Sequence, residues 1–270
     1  MLKTRVLTAA VLLAVFGSAL FFLPRLGWIV FCAVLLGIAA REWANLAALG
    51  PVGRSIYTAL LFLLFMSPLY FQGLGANGLY GPVWVYGASA SFWIFVAPLW
   101  MWRSHHGHSR AALLAVGGLV LLPACAALVD LRENHPVLLL AVLGTVWISD
   151  SAAYFVGRRF GRRKLAPSIS PGKTWEGVAG ALGAVGLYGL AWAWLGAPDT
   201  RWAGVAPAGL LVILLALAVV GIIGDLFESL IKRQAGVKDS GTLLPGHGGL
   251  LDRIDAPVAM LPLAVLAFIR

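Results

Sequence analysis

The sequence predicts an all-α polytopic integral membrane protein, and three observations carry that prediction. Of the 270 residues, 60% are hydrophobic and only 11% are charged, with a mean hydropathy of +0.89. A soluble domain of this size could not place such a composition on a water-facing surface. Apolar runs of about 20 residues, the length a helix needs to cross the hydrocarbon core, recur along the chain. Their unbroken length predicts helices and not barrel strands, because a helix satisfies its backbone amides within its own segment.

Taken in order, about nine spans are expected, near 6–23, 27–48, 55–71, 79–101, 111–129, 137–157, 177–196, 205–230 and 254–269. The first follows Lys3 and Arg5, as a signal peptide would, but Pro24-Arg25-Leu26-Gly27 offers no small-x-small cleavage site, so it reads as a retained span. Pro68, Pro98 and Pro123 should kink three spans. Trp28, Trp43, Trp100, Trp102 and Trp202 fall near predicted span ends, where an amphipathic ring prefers to sit. Cys32 and Cys125 are far apart inside apolar runs and support neither a disulfide nor a thiolate metal site. With no fixed-period repeat and no Gly/Ser linker, residues 1–270 read as one transmembrane domain, with N-terminal spans over 1–136 and site-bearing spans over 137–270.

Charge sets the expected orientation. With the N-terminus cytoplasmic, the loops near 24–26, 72–78, 130–136 and 197–204 and the C-terminus lie outside and carry only Arg25, Arg132, Arg201 and Arg270 of the 20 basic residues. Inverting the chain would break the positive-inside rule. The net charge of +9 is therefore first a topology signal, with attraction to anionic lipid as its secondary effect.

Ionisable groups at membrane depth are functional candidates by default. Here Glu42, Asp150, Glu176, Asp225, Glu228, Asp239, Asp252 and Asp255 fall inside helices or on the cytoplasmic side, most of them in two segments, Ser149 to Glu176 and Gly224 to Asp255. In the first, Asp150, Tyr154 and Arg158 share a helical face at four-residue steps, and Gly and Pro then break the pattern into a basic loop. Gly172-Lys173-Thr174 is not a P-loop, because Pro167 stands where that motif needs glycine. What survives is a helix start with free amides, a hydroxyl and Lys173, a reasonable phosphate perch.

In the second segment Asp225, Glu228 or Ser229, and Lys232 line one helical stripe. Pro245-Gly246-His247-Gly248-Gly249 cannot be regular helix, so the chain must turn and bring Asp252 and Asp255 back toward Asp225. Two carboxylates from different helices suit Mg²⁺, which takes one or two carboxylates plus phosphate oxygens and water. Lys173, Lys232, Arg233, Lys238 and Arg253 could neutralise phosphate, and His247 could donate to it or move a proton. The plainer reading of these charges is internal ion pairs, Glu228 with Lys232 and Asp252 with Arg233. His105, His106 and His108 read as a solvated loop.

The run Ser229-x-x-Lys232-Arg233-x4-Lys238-Asp239-x-Gly241-x2-Leu244-Pro245-x-His247-Gly248-Gly249-Leu250-x-Asp252-Arg253-Ile254-Asp255 resembles, without a gap, the signature of the phosphatidate cytidylyltransferase (CDP-diacylglycerol synthase) family. Residues 149–177 are similar to that family as well, so the diagnostic likeness covers roughly the C-terminal half. The resemblance implies a dimeric inner-membrane enzyme, its site facing the cytoplasm, that joins CTP and phosphatidic acid into CDP-diacylglycerol and pyrophosphate. It implies Mg²⁺ on Asp225 and Asp252, with a monovalent cation such as K⁺ beside it, and no nucleic acid partner. With it, Asp225, Asp252, Lys232, Lys238 and His247 become the expected catalytic residues. Lys173, Ser229, Arg233, Asp239, Arg253 and Asp150 become the expected substrate-binding residues. An ion-coupled transporter is the rival reading, since buried acids and broken helices also build ion pathways.

Overall fold

Long apolar segments with few internal breakers form nearly all of the structure, a computed structural model that describes residues 2–72, 78–103, 109–195, 206–244, 246 and 248–269. The helices are α1 (Leu2–Phe22), α2 (Arg25–Leu46), α3 (Pro51–Gln72), α4 (Val83–Ser91), α5 (Ala97–Arg103), α6 (Arg110–Asn134), α7 (Pro136–Phe160), α8 (Trp175–Leu195), α9 (Pro207–Gln234) and α10 (Leu251–Phe268). A π-helical turn, Phe92–Val96, joins α4 to α5 into one rod just before Pro98, which can donate no backbone hydrogen bond. Among the described residues seven helices are long and apolar enough to cross a membrane. The fold is thus the expected all-α polytopic membrane protein. Side chains such as Ile56, Leu60, Leu63 and Phe71 on α3 are exposed, as a lipid-facing surface requires.

Packing pairs α7 with α8, α9 with α10 and α2 with α3, while α6 runs between α2 and α10. Gly224 explains how closely α9 approaches α10. A Cβ there would stand 2.6 Å from Ala259 Cβ and 2.7 Å from the Asp255 carbonyl oxygen. Gly224→Val is therefore expected to force the pair apart at a cost of about 1–3 kcal/mol. A lowered melting temperature in detergent, with reduced turnover in the folded fraction, would be the readout.

Three local expectations change. Trp28 and Trp43 are buried rather than interfacial, because each indole N–H ties α2 to α6, donating to the Leu128 carbonyl at 3.2 Å and the Leu113 carbonyl at 2.8 Å. Trp102 is exposed at its span end, and Trp202 lies outside the described residues.

The loop expected over 130–136 is helix to Asn134, with α7 starting at Pro136. Asp130 need not mark a span end, since its carboxylate accepts the Tyr80 and Gly81 amides, at 2.5 and 3.3 Å, and the Tyr86 hydroxyl. The basic stretch after α7 is likewise not an irregular loop. It folds into an antiparallel hairpin, β1 (Lys164–Ala166) against β2 (Ser170–Thr174), with Lys164 opposite Thr174 and Ala166 opposite Ser170. Glu176 pins it by accepting the Arg162 and Arg163 amides at 3.0 and 3.2 Å.

Candidate active site

The site is assembled where the hairpin and helices α7, α9 and α10 converge. On α9 the expected stripe is present: the Ser229 hydroxyl donates to Asp225 Oδ1 at 3.4 Å, and Lys232 Nζ stands 3.2 Å from Glu228 Oε1. The helix ends in a Schellman cap. The Val237 amide donates to the Lys232 carbonyl and the Gly236 amide to that of Arg233, with Gly236 at φ +73°, a conformation that favours glycine.

Beyond the cap the chain makes a tight turn, with the Leu244 amide donating to the Gly248 carbonyl at 2.8 Å. It then starts α10 with Asp252 in the first turn. Asp252 is the most heavily used carboxylate of the cluster. Its Oδ1 meets Lys232 Nζ at 2.6 Å. Its Oδ2 accepts the Ser240 amide at 2.9 Å and the Gly249 amide at 2.8 Å, with the Ser240 hydroxyl at 3.0 Å.

Asp225 meets a different cation. Lys173, on β2, reaches across so that its Nζ lies 2.5 Å from Asp225 Oδ2. The phosphate perch expected at this helix start is therefore partly spent: Lys173 is paired, and the Thr174 hydroxyl caps α8 by accepting the Gly177 amide at 3.1 Å. Asp150 on α7 interacts electrostatically with Asp225, Lys173 and Arg253, while Glu228 interacts with both Asp225 and Asp252, and Asp255 with Asp225, Glu228 and Lys232. Five carboxyl groups from three helices thus share one electrostatic neighbourhood with Lys173, Lys232 and Arg253.

Arg233 is exposed and donates to the Val237 carbonyl at 3.3 Å, so Asp252 pairs with Lys232 and not with Arg233. Lys238 and Asp239 are exposed on the connecting loop. His247 lies outside the described residues, as do His105, His106 and His108.

One residue that the sequence flagged only as an ionisable group in an apolar span also arrives here. Glu42 of α2 is buried against the start of α10 and accepts the Leu250 and Leu251 amides at 2.9 and 2.8 Å.

Among the described residues no group of three or more His, Cys, Asp or Glu side chains is arranged to hold a metal ion by itself. What the cluster offers is an excess of hard oxygen donors over side-chain cations. That composition suits a cation which completes its shell with phosphate oxygens and water.

Fold and site together define a polytopic helical membrane protein with a centre of paired acids and lysines. The chain belongs to the cytidylyltransferase family, which it matches over residues 3–269. It is 40% identical to the phosphatidate cytidylyltransferase of Pseudomonas aeruginosa, over 97% of this chain and 95% of that one. It is 36% identical to the Haemophilus influenzae protein of the same name, over 97% and 96%, and 33% identical to that of Mycobacterium leprae, over 93% and 81%.

Proposed function

We propose that this chain transfers the cytidylyl group of CTP to phosphatidate, forming CDP-diacylglycerol and releasing pyrophosphate. The observation that supports the site assignment is the convergence of Asp225, Asp252, Lys173, Lys232 and Arg253 from three separate elements, β2, α9 and α10, in a chain whose relatives are named for this activity.

A triphosphate and a lipid phosphate repel one another until cations intervene, so the principal demand on the protein is charge management and positioning. Lys173, Lys232 and Arg253 supply fixed positive charge. Asp225 and Asp252 would hold Mg²⁺, with a monovalent cation such as K⁺ beside it. When bound, the divalent ion would screen and polarise the CTP phosphates. A phosphatidate oxygen forms the new bond to the α-phosphorus of CTP while the bond between the α- and β-phosphates breaks, and the electron pair leaves with pyrophosphate. The nucleophile is already an oxyanion and needs no strong base. Lys173, whose ammonium pairs with Asp225, would transfer its contact to a phosphate oxygen.

The basic-residue skew of the sequence and the family resemblance support a site open to the cytoplasm at the inner membrane, and the resemblance supports a homodimer. Purified protein in detergent, given phosphatidate, Mg²⁺ and CTP labelled on the α-phosphorus, is expected to yield a lipid-extractable label. CTP labelled on the γ-phosphorus should yield none, and chelation of the metal should stop the reaction. Absence of α-label from the lipid phase would overturn the reading.

A further inference from the structure

We infer that Glu42, from the otherwise apolar second span, is a positioning residue that sets Asp252 and the first turn of α10; the inference rests on the reading of Asp252 as a metal-site ligand. A carboxylate buried as deeply as Glu42, 6% exposed, persists only if its oxygens are satisfied. Among the described residues no ion pair includes it. Its partners are instead the amides at the start of α10, which have no acceptor within their own helix and carry the positive end of its dipole. Oε1 accepts the Leu250 amide at 2.9 Å, and Oε2 accepts the Leu251 amide at 2.8 Å.

Oε2 also lies 3.0 Å from the Ser240 hydroxyl, and that same hydroxyl lies 3.0 Å from Asp252 Oδ2. One side chain with one proton therefore bridges the two acids. The loop is shaped around this contact. A Cβ on Gly249 would come within 2.6 Å of Glu42 Oε2 and 2.2 Å of Ser240 Oγ, and one on Gly241 within 2.7 Å of Glu42 Oε1. Glu42 thus anchors the residues on both sides of Asp252 Oδ2, which leaves Oδ1 directed at Lys232. By this route an N-terminal span with no part in the chemistry reaches a site more than 200 residues away in sequence.

Glu42→Gln keeps the size of the side chain but turns one acceptor oxygen into a donor that the α10 amides cannot use. In this variant the Mg²⁺ concentration for half-maximal turnover is expected to rise about tenfold, as for loss of a group that orients a metal ligand. Mn²⁺ binding followed by electron paramagnetic resonance should weaken to a similar degree, with KM for phosphatidate unchanged. Ser240→Ala should shift metal dependence in the same direction by less, and the double variant should be no worse than Glu42→Gln alone. A merely structural role would lower the melting temperature while leaving Mn²⁺ affinity of the folded protein and the Mg²⁺ dependence at wild-type values, and that result would overturn the inference. Should Glu42→Gln fail to fold, Ser240→Ala decides the matter alone, unchanged metal dependence counting against it. Wild-type turnover without any divalent metal would remove the underlying reading and this inference together, whereas a metal-dependent wild type with an unaltered Glu42→Gln removes only the inference.

Discussion

Replacing Asp225 by Asn is expected to cost about 10²–10³-fold or more in turnover, the scale of losing one preorganised electrostatic group at the reacting centre, while leaving the fold intact. The reason is its contacts. Among the described residues Asp225 meets the ammonium of Lys173, at 2.5 Å, and the Ser229 hydroxyl, at the long distance of 3.4 Å. Both contacts are to side chains, and neither satisfies a backbone amide or caps a helix. The melting temperature in detergent and the elution volume should therefore match the wild type, even as lipid-extractable label falls away. Near-normal activity in this variant would take Asp225 out of the reaction.

Asp252→Asn should be as inactive and, unlike Asp225→Asn, unstable. Its carboxylate joins Lys232, two backbone amides and a hydroxyl, with both ion-pair partners largely shielded from solvent at 11% and 6% exposure. Removing the negative partner leaves Lys232 with Glu228 alone, at 3.2 Å, and turns an amide donor toward groups that donate. Breaking a buried pair in this way costs on the order of 3 kcal/mol. Combining it with Lys232→Met should recover part of the loss, since no unpaired ammonium remains, with a coupling of about 0.5–3 kcal/mol between the two sites. Thermal melts of the two single variants and the double would measure that coupling, and strict additivity would show that Asp252 and Lys232 do not act as a pair.

These two acids were legible in the sequence for different reasons. Asp225 was found by helical periodicity, because Asp225, Ser229 and Lys232 recur at steps that put them on one stripe. Asp252 was found because Pro245 and the glycines beside it forbid a continuous helix and so demand a reversal of the chain. The pairing between them was less legible. Local spacing makes Arg233 as good a partner for Asp252 as Lys232, and only the Schellman cap at Gly236, which turns Arg233 toward Val237, decides between them. Glu42 was visible as an acid in an apolar run, but its destination was not, since nothing in α2 refers to Ser240 or Leu250. The hairpin over 164–174 was missed because its strands are short and basic, and it is held by Glu176, a residue of the following helix.

What the sequence by itself determined is the part governed by composition and local period: membrane residence, the helical rods and the two polar segments. Solvation of a side chain and satisfaction of a backbone amide within one turn are near-neighbour effects, and they can be read from a string of residues. Tertiary structure alone decided which charge meets which, that Trp28 and Trp43 lock α2 onto α6 instead of facing an interface, and that an acid of the second span caps the last helix. Such contacts depend on how closely two helices approach. A missing Cβ at Gly224 or Gly249 governs that approach, and its consequence appears only when the partner surface is in place.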